Sequence, residues 1–226
     1  MKFKSVNAMR SCPVFLLLSL MVALMSMSCA SVSTMQTPGV VPQGEVRWAM
    51  SVSGAGGDVA SSAAPNFEAS VRYGLADSVD VGLKLSLLGA QVGAKYQFLQ
   101  GDFDLAIGLE AGYQWVRTSS DEPINSHVLA FQLPIMMEYH FNPYVGLAFG
   151  PKLLGVYVAK TDERADIWGR SGFYAGLFVG LPLRLTEGIW FMPEINIYSN
   201  VYDEAKKSFS NVLWQASVSV FFGGLD

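Results

Sequence analysis

One pattern governs the chain from Glu45 to its end: apolar residues recur at every second position. The clearest stretch is 102–116, DFDLAIGLEAGYQWV. Phe103, Leu105, Ile107, Leu109, Ala111, Tyr113 and Trp115 fall on one side. Asp102, Asp104, Ala106, Gly108, Glu110, Gly112 and Gln114 fall on the other. Successive side chains of a strand point to opposite faces, whereas a helix would scatter both sets around its circumference. The alternation predicts strands, and this one is long enough to cross a bilayer at a tilt. The same reading places strands at about 45–53, 66–74, 78–87, 90–99, 102–117, 126–140, 143–159, 172–185, 188–199 and 211–223.

The connections alternate in length. Those at 75–77, 100–101, 141–142 and 186–187 are short, and those at 54–65, 118–125, 160–171 and 200–210 are long and polar. The connection at 88–89 is short where the rule asks for a long one. Charged residues make up only 15% of the chain, against roughly a quarter in soluble domains, and apolar residues 51%. Disorder and a polyanion-binding surface are both excluded. So is a helical membrane bundle, because the one long apolar run lies at the N-terminus.

That run belongs to residues 1–29. Lys2, Lys4 and Arg10 precede an apolar stretch from Pro13 to Met25, and small residues follow, the organisation of an export signal. Two cleavage readings stand side by side. Ser28-Cys29-Ala30 fits an ordinary signal-peptidase site, with Ser31 first in the mature chain. Ser26-Met27-Ser28-Cys29 resembles a bacterial lipobox, which implies lipid attachment at Cys29; the resemblance departs at Ser26, where the family carries leucine. Residues 30–44, ASVSTMQTPGVVPQG, read as a flexible tether ahead of a barrel at 45–226. Cys12 lies inside the signal, so no disulfide and no cysteine metal site is available to the mature domain. Loss of Lys2, Lys4 and Arg10 takes the formal charge from −4 to −7, which argues against nucleic acid as a partner.

The run 72–114, RYGLADSVDVGLKLSLLGAQVGAKYQFLQGDFDLAIGLEAGYQ, resembles bacterial outer-membrane β-barrel proteins. The resemblance is one of pattern and covers nearly all of the mature chain. It implies an all-β fold, an antiparallel transmembrane barrel of about ten strands in a Gram-negative outer membrane. It also implies contact with outer-membrane lipid and lipopolysaccharide, and insertion by the barrel-assembly machinery. Many such proteins end on an aromatic residue; here Phe222 is followed by Gly223-Gly224-Leu225-Asp226.

The rival is a soluble, lipocalin-like carrier with its apolar face inside, and the polar face decides between them. Gly82, Gly93, Ala106, Gly108, Gly112, Gly146, Gly150, Gly176 and Gly180 lie on it. Glycine weakens an open strand surface and relieves crowding inside a narrow barrel. The charges on that face balance. Arg47, Arg72, Lys84, Lys95, Lys152 and Arg184 oppose Glu68, Asp80, Asp104, Glu110, Glu138 and Glu194, as expected of ion pairs in a lumen. A turn centred on Ala76 sets Arg72 against Asp80 and Glu68 against Lys84. Tyr174, Phe178, Trp190, Met192 and Tyr198 point into the same space, so the lumen is expected to be largely closed. Tyr73, Tyr96, Phe98, Phe103, Tyr139 and Phe222 form one aromatic girdle on the outer face, and Tyr113, Trp115, Tyr157 and Phe173 a second. Pro134, Pro151, Pro182 and Pro193 fall inside strands and predict bulges or bends.

No phosphate loop, metalloprotease helix or nucleophile elbow occurs, and no cofactor, metal or catalytic residue is assigned. His140 reads as an interfacial or lumen residue. His127, near Asp121, Glu122 and Ser126 at the long-loop rim, is the one candidate for a rim enzyme, whether omptin-like hydrolase or lipid-modifying. No omptin motif matches it. The charged loops 162–170, with Trp168, and 202–209 are candidate contact surfaces. The expected function is non-enzymatic, an envelope structural role or a narrow solute path.

Overall fold

The computed structural model describes residues 33–57, 65–87, 89–117, 125–161, 167–203 and 212–223. They form eleven strands: β1 (Val46–Gly57), β2 (Pro65–Ala76), β3 (Val79–Ser86), β4 (Gly89–Leu99), β5 (Phe103–Arg117), β6 (Asn125–Asn142), β7 (Val145–Thr161), β8 (Ile167–Gly180), β9 (Leu183–Thr186), β10 (Ile189–Asp203) and β11 (Val212–Phe222). Each pairs antiparallel with its neighbour. β11 pairs with both β10 and β1, so the sheet closes on itself. Closure removes the free edges that an open sheet would present.

The ring has ten positions, because β8 and β9 share one. The eighth strand expected at 172–185 is interrupted at Leu181-Pro182. Proline has no N–H to give the ladder, so the chain steps off at Gly180 and rejoins at Leu183. β9 pairs with β10 and touches β7 through Val145 and Leu183. Leu181 N–H donates to Pro193 O at 3.0 Å and Gly146 N–H to Pro182 O at 3.0 Å, which keeps the wall continuous. Pro134 and Pro151 act differently: pairing lapses beside them, while the β6–β7 register is the same on both sides of the gap. Several strands run further than the alternation did. β1 extends to Gly57, and β8 starts at Ile167, inside the stretch read as a loop.

The apolar face looks outward. Met50, Val92, Leu109, Leu177 and Ile197 are all more than half exposed, which water would penalise and lipid would not. Tyr73, Tyr96, Phe98, Phe103, Tyr139 and Phe222 are exposed near the short-turn end, where Phe141 and Tyr144 join them. Tyr113, Trp115, Tyr157 and Phe173 are exposed near the opposite end. The glycines face inward and make room. A Cβ at Gly112 would lie 2.4 Å from Gln91 Cγ, and one at Gly93 would lie 2.9 Å from Glu110 Cγ.

The interior is packed. Ala130, Leu154, Tyr174 and Tyr198 cluster toward the long-loop end. Ala106, Met136, Ala148 and Phe178 form a second group. A third joins Ala49, Trp190, Met192 and Phe221 to Met35, which belongs to the N-terminal segment. The stretch expected to be a flexible tether therefore lies, from Ser33 to Val41, inside the barrel. Ser33, Thr34, Met35, Gln36, Thr37 and Val41 are buried.

Candidate functional site

Among the described residues, polar chemistry converges in the lumen. Of the twelve charged residues assigned to it, Arg47, Glu68, Arg72, Asp80, Lys84, Lys95, Asp104, Glu110, Glu138, Lys152 and Glu194 are buried. Arg184 stands apart, half-buried near the short turns with its guanidinium 5.8 Å from the Trp190 ring centroid.

Asp80 is the hub. It pairs with Arg72 and, across the β3–β4 ladder, with Lys95 at 3.3 Å. The register differs from that of a simple turn at Ala76. A bulge between Gly74 and Ala76 sets Arg72 opposite Gly82 and Glu68 opposite Ser86. Arg72 still reaches Asp80 diagonally, because its side chain is long.

Glu68 and Lys84 do not close on each other. Ser33 is wedged between them: its Oγ donates to Glu68 at 2.5 Å and its carbonyl accepts from Lys84 Nζ at 2.7 Å. The same happens along the whole segment. Thr34 N–H donates to Glu194 at 2.8 Å, Val40 N–H to Gln97 at 3.1 Å and Val41 N–H to Asp80 at 3.0 Å. Lys95 Nζ donates to the carbonyls of Thr37 at 2.8 Å and Gly39 at 2.7 Å. Arg47 donates to Gly39 O at 3.2 Å. Side chains add Gln36 to Glu110 at 2.6 Å and Lys152 to Thr34 Oγ1 at 2.9 Å. A buried charge costs several kcal/mol unless it is satisfied, and here a peptide backbone satisfies it.

The segment fits its surroundings residue by residue. Between Ser33 and Gln43 it carries no charge, so it leaves the lumen's own balance undisturbed. Met35 takes a left-handed backbone conformation, φ 46°, and places its side chain among Ala49, Trp190, Met192 and Phe221. Non-glycine residues adopt this conformation at a cost, which the buried contacts offset. At the short-turn end Gly44 N–H donates to Gly74 O at 2.9 Å, and Gln43 bridges to Gly74 in parallel. The backbone carbonyls of Val41 and Pro42 leave no space for a side chain at Gly74.

Next to the segment a cavity of about 280 Å³ opens at the short-turn mouth. Asp104, Glu138, His140, Gln97, Arg47 and Trp190 are among its lining. His140 Nε2 lies 3.1 Å from Asp104 and Nδ1 lies 3.6 Å from Glu138. His127 is elsewhere. It pairs with Trp115 on the lipid side of the β5–β6 ladder, and its Nδ1 meets Tyr113 OH at 2.7 Å. Asp121, Glu122, Cys29 and residues 204–209 lie outside the described residues, and of Trp168 only the backbone is described, in β8. Among the described residues no cluster of histidine, cysteine and carboxylate could hold a metal. The segment is what sequence reasoning missed. Nothing in its residues beyond an absence of charge sets it apart from a tether.

No family model and no curated protein matches the sequence. Solved structures do. Neisserial surface protein A is 10% identical with a TM-score of 0.43, over 78% of this chain and 94% of that one. The outer membrane protease OmpT from Escherichia coli is 7% identical with a TM-score of 0.48, over 79% and 93%. The NanC porin is 11% identical with a TM-score of 0.42, over 78% and 99%. Likeness at this level carries no activity across. The ladder and the apolar exterior define the fold by themselves: a closed antiparallel barrel of the outer-membrane kind.

Proposed function

We propose that this chain is a non-enzymatic outer-membrane barrel whose lumen is closed at rest by its own segment Ser33–Gly44, with an envelope structural or narrow solute-path role. One observation carries the reading: charged residues that would line a channel are bonded to that segment. Ten strands enclose a bore only slightly wider than the eight-stranded size that side chains fill completely. Here a peptide and the aromatic residues of β8 and β10 occupy it.

The test is conductance in planar bilayers. The full chain is expected to give little or no steady current. A variant with 33–42 deleted, its export signal joined at Gln43, is expected to give small, resolvable openings. A large, stable conductance from the full chain would overturn the closed lumen and make solute transport the leading role.

Lipid anchoring at Cys29 belongs to the same proposal. Ser33 is four Cα steps from Cys29, a reach of at most about 14 Å. An acylated Cys29 must find lipid within that distance of a buried Ser33. Metabolic palmitate labelling abolished by Cys29→Ala supports the anchor, and a mature N-terminus at Ser31 refutes it. Outer-membrane lipid, lipopolysaccharide at the long-loop girdle and the barrel-assembly machinery are the proposed partners.

A further inference from the structure

We infer that the lumen is a binding tunnel for an uncharged peptide, read largely through its main chain, and that Ser33–Val41 is its resident occupant. The inference rests on the closed-lumen reading and goes beyond it: the tunnel would accept such a peptide in trans when its own segment is absent.

The contacts divide by what they recognise. Lys84 and Lys95 donate to the carbonyls of Ser33, Thr37 and Gly39. Arg47 donates to the carbonyls of Gly39 and Val40. Glu194, Gln97 and Asp80 accept the N–H groups of Thr34, Val40 and Val41. Every peptide offers these groups whatever its side chains. Side chains contribute through Ser33, Thr34 and Gln36, through Gln43 at the mouth, and through the apolar seat of Met35.

The wall also selects against charge. Arg72, Asp80 and Lys95 already balance in part among themselves. A charged occupant would add the desolvation cost of a further buried ion. Long, flexible lysine and glutamate side chains suit a main-chain reader, because they can follow carbonyl and N–H groups that shift along the bore. Entry is provided for: the cavity at the short-turn mouth runs directly against Thr37, Gly39 and Val40. Extended peptides bound elsewhere add a strand to a sheet edge. A closed barrel has no edge, so its inward side chains supply the donors and acceptors instead.

The experiment uses the 33–42 deletion, its folding confirmed by heat-modifiable mobility, and a dye-labelled peptide of sequence STMQTPGVVPQ. Saturable binding is expected by fluorescence anisotropy, and it is expected to be at least about tenfold weaker for the full chain, whose own segment competes at high effective concentration. A peptide of the same composition with its prolines fixed and other positions scrambled should bind within about threefold. N-methylation at the positions of Thr34 and Val41 should weaken binding about tenfold or more, since two bonds to carboxylates are lost. The unmodified peptide should also block the current of the deletion variant.

A folded, conducting deletion variant that neither binds nor is blocked by the peptide would overturn the tunnel and leave the closed-lumen reading intact. Tight binding of the native sequence with none by the scrambled one would overturn main-chain reading. Should the deletion fail to fold, the full chain carrying Cys29→Ala and Thr37→Cys replaces it. Millimolar peptide should then speed maleimide labelling of the introduced thiol, and the N-methylated peptide should not. Equal rates with and without the peptide would refute the inference.

Discussion

The two halves of the lumen wall solve one problem by opposite means. The side built from β1 to β5 carries Arg47, Glu68, Arg72, Asp80, Lys84, Lys95, Asp104 and Glu110, interleaved with glycine. The side built from β6 to β11 carries Met136, Leu154, Tyr174, Phe178, Trp190, Met192, Tyr198 and Phe221, and fewer buried charges, Glu138, Lys152 and Glu194. The second half fills its share of the bore with its own side chains. The first cannot, because small residues and long charged ones leave both space and unsatisfied charge. The N-terminal segment supplies what is missing. Its main chain bonds mostly to the charged wall, and Met35 inserts into the apolar group formed by Ala49, Trp190, Met192 and Phe221. A polar wall inside a barrel needs a polar filler, whereas an apolar wall needs only volume.

The sharpest way to break that contrast is to remove the hub of the charged wall. Asp80→Ala leaves Arg72 and Lys95 buried without their shared carboxylate and frees Val41 N–H. A cost of about 3–5 kcal/mol is expected, read as a shift in urea unfolding of the barrel in liposomes. A shift below 1 kcal/mol, by the same principle, would mean that water already serves these cations and that the lumen is wet.

The second test turns the wall around. Leu109, 59% exposed, faces away from Glu110 and into the proposed bilayer. Leu109→Arg is expected to cost about 2–4 kcal/mol in the same assay. Tolerance there, with an apolar demand at 104 or 110, would put the membrane on the wrong side of the sheet.

How much of this was readable beforehand depends on the range of the interactions. Alternation is local, so β5 at Phe103–Arg117 falls within a residue of the stretch that predicted it. The inward glycines were readable for the same reason. The break in the eighth strand was half-readable: Pro182 marked the place, but not that a short β9 would complete the same wall position. β8 was missed at its start because Ile167–Arg170 lacks the apolar alternation that lipid imposes. The fate of Ser33–Gly44 was not readable at all. Pro38, Gly39 and Pro42 look like a tether, and apart from Arg47 the segment's hydrogen-bond partners named above in the lumen are far along the chain, from Glu68 to Glu194. A turn centred on Ala76 suggested that Glu68 and Lys84 meet. Only the three-dimensional register shows Ser33 between them.

That wedge offers a finer comparison. Lys84 holds the segment from the charged wall, while Lys152, on β7, holds Thr34 Oγ1 and Asn196 from the other. Lys84→Ala removes a bond to Ser33 O and leaves Glu68 with less positive charge nearby. About 1–3 kcal/mol is expected, together with brief current flickers as the segment loosens. Lys152→Ala should lose comparable stability yet flicker less, because its bond is to one side chain and not to the backbone. Equal flicker in the two variants would erase the distinction between the walls.

The smallest effect belongs outside the lumen and serves as its control. Tyr113 OH and His127 Nδ1 meet at 2.7 Å on the exposed, lipid-side surface, their rings stacked at 6.1 Å. Both partners are at the long-loop girdle, where water and headgroups offer alternative bonds. Side-chain hydrogen bonds between membrane helices average about 0.6 kcal/mol, because the competing state also finds partners. Tyr113→Phe keeps the ring in the girdle and removes only the hydroxyl. It is expected to shift unfolding by about that amount and to leave conductance unchanged. A loss as large as that of Lys84→Ala would show that His127 is held for more than interfacial packing, and a site at the outer rim would then have to be sought around it.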